Sequence, residues 1–419
     1  MAEGARLESV FRGNSNVGSN PTLSAIISVA CMHSTSKASA ATLQLPGWPH
    51  FEEEDIQAVN RVLYSGKINY WTGEEGRLFE REYASYVGTK YAVALANGTV
   101  ALELALRALG IGHGGEVVVP ARTFIASASC VAMVGATPVF ADVDRNTQDI
   151  TAETIRPRLT SRTRAIIAVH LAGRPCDMDP ILQLARDHSF KVIEDCAQAH
   201  GARYKGRPVG SIGNIGAFSF CQDKIITTGG EGGMLTLNDE AQKTFAWSFK
   251  DHGKNSEADF SHDSIGSNLR LTEMQSALGR NALRRLDAWV ETRRRNAAIL
   301  TTALQGVSAV RVPEIPDYAY HAFYKLYIFL QPLALKSGWN RERILQQINQ
   351  AGVPCSTGGL RELYREKAFA AQNQSQQNLP VAEELANTSL MFLVHPTLSV
   401  EHTEWMGNII TRILKSAAR

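Results

Sequence analysis

Between Tyr91 and Glu194, short apolar runs alternate with longer helical patterns, and few folds satisfy that alternation. Tyr91–Leu95, Glu116–Val119, Thr137–Ala141, Ala165–His170 and Lys191–Glu194 read as strands. Thr99–Leu109, almost wholly apolar and closed by Gly110, reads as a buried helix, and Ile125–Val134 and Met178–His188 read as further helices between strands. Strands that alternate with helices predict an α/β fold with a mostly parallel sheet covered on both faces. Ligands of such sheets gather at the carboxyl ends of the strands, where this chain places Asn97, Arg122, His170, Asp195, Gln198 and Ser219. Ahead of the first strand, Phe51–Val87 reads as two amphipathic helices, with Ile56, Val59, Val62 and Leu63 on one face of the first.

Three local features point to chemistry at those strand ends. Ala217–Cys221 and Met234–Leu237 read as strands joined by a turn that holds Lys224, Thr227, Thr228 and the glycines around Glu231. A lysine at such a tip can be desolvated and used as an amine nucleophile or Schiff-base former, although a lysine in a turn is more often a solvated charge. Asn97-Gly98-Thr99 opens the buried helix directly off a strand, so its free N–H groups make either a phosphate site or an ordinary helix cap. Asp195 follows the apolar Val192-Ile193; an acid buried there needs a cation or strong donors, and serves either as a cap or as the carboxylate that keeps a heteroaromatic nitrogen protonated.

Composition narrows the partners. A net charge of +2 over 419 residues provides no basic field for nucleic acid or anionic lipid, so small molecules are the expected partners. No run approaches the length of a membrane span. The six cysteines show neither a C-x-x-C pair nor zinc-ligand spacing and read as reduced thiols of a cytoplasmic protein, with no metal expected. Residues 1–44, rich in Ser, Asn, Ala and Gly, are expected to be disordered. The short apolar run Ala25–Met32 makes a poor export signal, and a start at Met32 or nearby is at least as good a reading. The remaining chain divides into a large domain over 45–305 and, after Gly306, a smaller α+β domain over 306–419, with a strand at Tyr324–Leu330 and helices at Arg341–Ala351 and after Glu401. The Arg293-Arg294-Arg295 run reads as a solvated helix face, and Gln372–Asn378 as a surface loop.

Taken in order and spacing, several motifs resemble the DegT/DnrJ/EryC1/StrS family of pyridoxal-phosphate-dependent sugar aminotransferases, which have the fold-type I architecture. They are Asn97-Gly98-Thr99, Pro120–Phe124, Val169-His170-Leu171, Glu194–Gly201, Phe218-Ser219-Phe220 ahead of Lys224, and Gly232-Gly233-Met234. The resemblance runs from about Leu45 to the C-terminus and implies pyridoxal 5'-phosphate as cofactor. It implies that Lys224 is the Schiff-base lysine and proton carrier, that Asp195 pairs with the pyridinium nitrogen, and that Gln198 donates to the ring's phenolic oxygen. Gly98, Thr99 and Ser219 would hold the phosphate, and Phe124 would stack on the ring. Gly266-Ser267-Asn268-Leu269-Arg270 resembles a segment whose Asn reaches the neighbouring subunit's cofactor, which implies a homodimer with shared sites; Arg270 and His321 are the substrate-side candidates, His321 being equally well read as structural.

The implied reaction moves an amino group from an amino acid, L-glutamate in the leading reading, to a nucleotide-linked keto-deoxysugar. Amination of a cyclitol or other cyclic ketone is the alternative. Relatives that dehydrate sugars typically carry His where this chain has Lys224, which argues against that chemistry. Cys221, Ser267, Leu269 and Gly358-Gly359-Leu360-Arg361 depart from the common pattern and leave the sugar open.

Overall fold

A computed structural model describes residues 43–256, 261–359, 362–370 and 378–419. The expectations for the N-terminal extension, for 372–377 and for Leu360-Arg361 therefore fall outside the described residues. The strands in chain order are β1 (Tyr91–Leu95), β2 (Glu116–Pro120), β3 (Thr137–Ala141), β4 (Thr163–Val169) and β5 (Lys191–Asp195), then the short β6 (Arg203–Tyr204) and β7 (Arg207–Pro208), then β8 (Ile215–Ser219) and β9 (Gly233–Leu237). After the 31-residue helix Glu273–Ala303 come β10 (Val310–Arg311), β11 (Ala319–Tyr320), β12 (Leu326–Leu330), β13 (Cys355–Ser356) and β14 (Ser389–Phe392).

Seven of these build the central sheet, in the order β1-β9-β8-β5-β4-β2-β3. The β2–β3, β2–β4, β4–β5 and β5–β8 ladders are parallel. β9 is inserted antiparallel between β1 and β8. The fold is thus the α/β, fold-type I arrangement. β2, β8 and β9 are buried at every position, as expected of strands covered on both faces. Cores lie on the two sides of the sheet: Leu102, Leu106, Val119 and Ile167 belong to one, Val118, Ile166, Ile181 and Leu184 to another.

Beyond Gly306 a four-stranded sheet, β10-β12-β14-β13, packs its own core of Ile328, Ile344, Leu390 and Ile410 against Leu300 of the long helix. Tyr327 and Phe329, on the same β12, nevertheless belong to the core that covers the central sheet, so Leu43–Arg419 forms one compact unit. The free cysteines Cys130, Cys176 and Cys196 are buried, and Cys221 and Cys355 partly so. No helix among the described residues is long and apolar enough to cross a membrane.

The arginine run corrects an expectation. Arg293 is 1% exposed, packed over the Trp48 ring with Nη1 donating to Tyr324 O at 3.1 Å. Arg294 lies over Tyr320 and donates to His321 O, and only Arg295 is exposed. Consecutive residues of a helix face directions about 100° apart, so three like charges in a row cannot share one solvated face.

Candidate active site

β5 and β8 are parallel neighbours with Asp195 opposite Ala217, and both end at the same edge of the sheet. The chain leaves β8 at Ser219, passes through the turn carrying Lys224 and returns as β9, so the lysine is presented where β5 presents its acid. The turn is pinned at both ends: Lys224 N donates to Cys221 O at 3.0 Å, and Lys224 O accepts from the indole N–H of Trp48 at 2.9 Å. The Trp48 ring packs edge-on against Trp289 and stacks on His395. The lysine side chain is 16% exposed, with Nζ 3.9 Å from Asp223 Oδ1 and 5.0 Å from the centre of the Tyr324 ring.

Asp195 is buried; Oδ2 accepts from Ser127 Oγ at 2.8 Å and Oδ1 from Ala197 N at 3.1 Å. Burial pushes its carboxyl above the ordinary carboxylate range, against the opposing pull of Ser127, Ala197 N–H and the Lys224 charge. The acid is thus incompletely compensated, and a cation on its open side would stabilise it. Ser127 is itself held by Thr123 at 3.1 Å. Ser127 did not stand out in the sequence, because a hydroxyl inside an apolar helix carries no local signal.

The Asn97-Gly98-Thr99 junction is a helix N-terminus. Asn97 Oδ1 caps Val100 N at 3.0 Å, and the helix Gly98–Ala108 leaves its first N–H groups without intrahelical partners. Gly98 lies against Ser219, where an added Cβ would stand 2.5 Å from the serine Cβ, so the two residues form one surface only while position 98 lacks a side chain. Thr99 is exposed and Ser219 buried. The Ser219 carbonyl receives His200 Nε2 at 2.8 Å, while Tyr83 Oη lies 2.8 Å from Nδ1. Burial drives His200 down to about 3, so it stays neutral and keeps one orientation. His200 lies within Glu194–Gly201, where the sequence gives no sign that it fixes Ser219.

Gln198 Oε1 accepts from Ala172 N at 2.8 Å, which leaves its amide N–H groups as the donors on that side chain. Ala172 holds φ 58°, a backbone conformation unusual for a residue with a Cβ, and Tyr324 N donates to its carbonyl at 2.8 Å. His170 is fully buried on Glu194 at 3.0 Å, with Cys176 N donating to its Nδ1, and so belongs to the sheet's interior.

The remaining candidates are spread out. Phe124 is 62% exposed. Asn268 is exposed, in a segment joined to Ala96 through the Ala96 N to Leu269 O bond of 2.8 Å. Arg270 pairs with the buried Asp251. His321 is buried, stacks on Phe323 at 3.9 Å and accepts from Phe323 N, and burial holds its imidazole well below the ordinary range.

A buried acid short of positive charge, an amine on the turn that follows the neighbouring strand and a glycine-floored helix N-terminus together fit a phosphorylated pyridine aldehyde. The comparisons with known proteins agree. The family described as the DegT/DnrJ/EryC1/StrS aminotransferase family matches residues 32–411. The chain is 39% identical over 363 residues to the UDP-N-acetyl-3-dehydro-alpha-D-glucosamine 3-aminotransferase of Acidithiobacillus ferrooxidans, covering 86% of this chain and 94% of that one. It is 34% identical to the 3-amino-5-hydroxybenzoate synthase of Amycolatopsis mediterranei, covering 78% and 84%. Among solved structures it is similar to the aminotransferase from Psychrobacter cryohalolentis, with a TM-score of 0.87 and 49% identity over 89% of this chain and all of that one.

Proposed function

The chain belongs to the DegT/DnrJ/EryC1/StrS aminotransferase family, and we propose that within it the protein transfers an amino group from an amino acid, L-glutamate first among them, to the carbonyl of a nucleotide-linked keto-deoxysugar. Enzymes of this family use pyridoxal 5'-phosphate. The observation that carries the proposal is the convergence of Lys224 and Asp195 at the ends of adjacent strands.

In this reading Gly98, Thr99 and Ser219 hold the cofactor's phosphate, with N–H groups and hydroxyls at the positive end of the helix. Asp195 faces the ring nitrogen, and the cationic ring relieves the acid's burial, so acid and ring stabilise each other. Gln198, whose amide N–H groups remain as donors, would bond the ring oxygen, and the exposed Phe124 would cover one ring face. Bound there, the cofactor supplies an electron-accepting ring and an aldehyde carbon that carries nitrogen between the two substrates. Lys224 Nζ would take the proton from the donor's Cα and return it on the far side of the intervening nitrogen, a 1,3 shift, and would reverse the order for the ketosugar. Asp223 and Tyr324 keep the amine on that side of the site.

Asn268 is proposed to complete the site of a second copy, which makes the working unit a homodimer, and the cytoplasm is the proposed location. His321 and Arg270 are proposed on the substrate side. The similarity to 3-amino-5-hydroxybenzoate synthase favours, as a second reading, amination of a cyclic ketone without a nucleotide. Incubating the loaded protein with L-glutamate and a panel of nucleotide ketosugars separates the two. Release of 2-oxoglutarate with an aminated sugar is expected, whereas turnover confined to nucleotide-free cyclic ketones would overturn the first reading.

A further inference from the structure

A second lysine shares the setting of Lys224. Lys325 Nζ lies 4.7 Å from the centre of the Tyr324 ring and 3.8 Å from Asp223 Oδ2, while Lys224 Nζ lies 5.0 Å from the same ring and 3.9 Å from the other oxygen of the same carboxylate. The Tyr324 hydroxyl donates to Asp223, so ring and carboxylate form one unit that borders both ammonium groups. Behind them Arg293 is fully buried; one N–H bonds Tyr324 O, and Nε and Nη2 have no hydrogen-bond partner among the described residues.

The charges do not balance. Lys224, Lys325 and Arg293 share Asp223, which is itself half-exposed at 53% and holds each lysine beyond hydrogen-bond distance, and Lys224 also acts on Asp195, which leaves three cations for two acids. Burial brings Lys325 down to about 8, with Arg293 and Lys224 adding to the fall and Asp223 resisting it. Burial likewise brings Arg293 down to about 9. A desolvated cation short of negative charge, still 14% exposed, gains from any anion that reaches it.

We propose, on the transaminase reading above, that Lys325, backed by Arg293, receives a carboxylate of the amino donor and so selects amino acids over other amines. The phosphate of the cofactor has its own cradle at Gly98 and Ser219. The choice between a carboxylate and a nucleotide phosphate follows from distance. Both Nζ atoms lie within 5.0 Å of the centre of one tyrosine ring, a neighbourhood that the nitrogen and a carboxylate of one amino acid can bridge, whereas a nucleotide phosphate is separated from the reacting carbon by the sugar ring. Of the two carboxylates of glutamate, either satisfies the proposal.

The test compares wild type, Lys325→Met and Lys325→Arg, all loaded with pyridoxal 5'-phosphate. L-Glutamate and hydroxylamine, an amine-type reagent with no carboxylate, are each followed by the change in cofactor absorbance, and binding of glutarate and of UDP is measured by calorimetry. Lys325→Met is expected to raise the apparent Kd for L-glutamate and for glutarate by about tenfold or more, the loss of one charge-assisted contact. Lys325→Arg is expected to restore most of it, and hydroxylamine and UDP to behave as in wild type. Equal slowing of glutamate and hydroxylamine would mean that Lys325 acts on Lys224 itself, and loss of UDP binding alone would assign it to the nucleotide; either result overturns the proposal, as does an unchanged Kd. A wild type that reacts with hydroxylamine but with no amino acid in a panel of glutamate, glutamine, aspartate and alanine overturns the transaminase reading, and this proposal with it.

Discussion

Glu194 and Asp195 are consecutive on β5 and send their carboxylates to opposite faces of the sheet, into opposite electrostatic situations. Glu194 receives His170 at 3.0 Å and the N–H groups of Gly210, Ile212 and Gly213 at 2.9, 2.7 and 2.6 Å. Burial alone would raise its carboxyl, but those donors outweigh it and hold it below the ordinary range. Asp195 has two donors and is pushed up. One acid is satisfied by its donors and the other is left short of them.

Lys224→Ala should remove the covalent attachment of the cofactor and lower transamination by at least ~10³-fold, because attachment and proton transfer both use this amine. Borohydride reduction followed by mass spectrometry checks attachment. Full turnover in the variant would end the assignment.

Asp195→Asn should separate stability from function. A carboxyl raised in the folded state binds protons more tightly there than in the unfolded chain, so its destabilising effect is absent below the ordinary carboxylate range and grows as pH rises through it. The cofactor-free variant is therefore expected to melt above cofactor-free wild type at pH 7, with the gap closing near pH 4, while the loaded variant loses activity by about 10²-fold or more. Thermal melts at several pH values measure the first part. A lower melting temperature at pH 7 would show that the acid is fully compensated without a ligand.

Glu194→Ala should destabilise by about 3–5 kcal/mol, since it strands a buried histidine and three N–H donors. The sign with pH is the reverse of the Asp195 case: the stability that Glu194 contributes is present above its unfolded value and lost as pH falls through its depressed folded value. Urea midpoints of the two proteins should thus converge in acid.

Gly98→Ala places a methyl group 2.5 Å from the Ser219 Cβ. Overpacking of this kind costs about 1–3 kcal/mol, and the displaced serine should weaken cofactor binding by about tenfold. Fluorescence titration with pyridoxal 5'-phosphate gives the binding change directly; an unaltered Kd would remove Gly98 from the phosphate cradle.

Much of this was legible in the chain itself. β1 and β3 fall where period and composition place them, and β2, β4, β5, β8 and β9 differ by a residue or two at their ends, because a strand covered on both faces writes itself as a short apolar run. Lys224 and Asp195 were legible because each follows such a run. What stayed hidden depends on contacts between distant residues. The basic run gave no sign that Arg293 faces inward, since that follows from how the long helix is rotated against Trp48 and Tyr324. Lys325 carried no signal either: its meaning comes from Asp223, a hundred residues earlier in the chain, and only the fold brings the two to 3.8 Å.

The indole of Trp48 grips the Lys224 carbonyl and rests on Trp289 and His395, so one early residue closes a circuit through the middle and the end of the polypeptide. A change at any one of these three rings therefore reaches the backbone of Lys224 from far away in the chain.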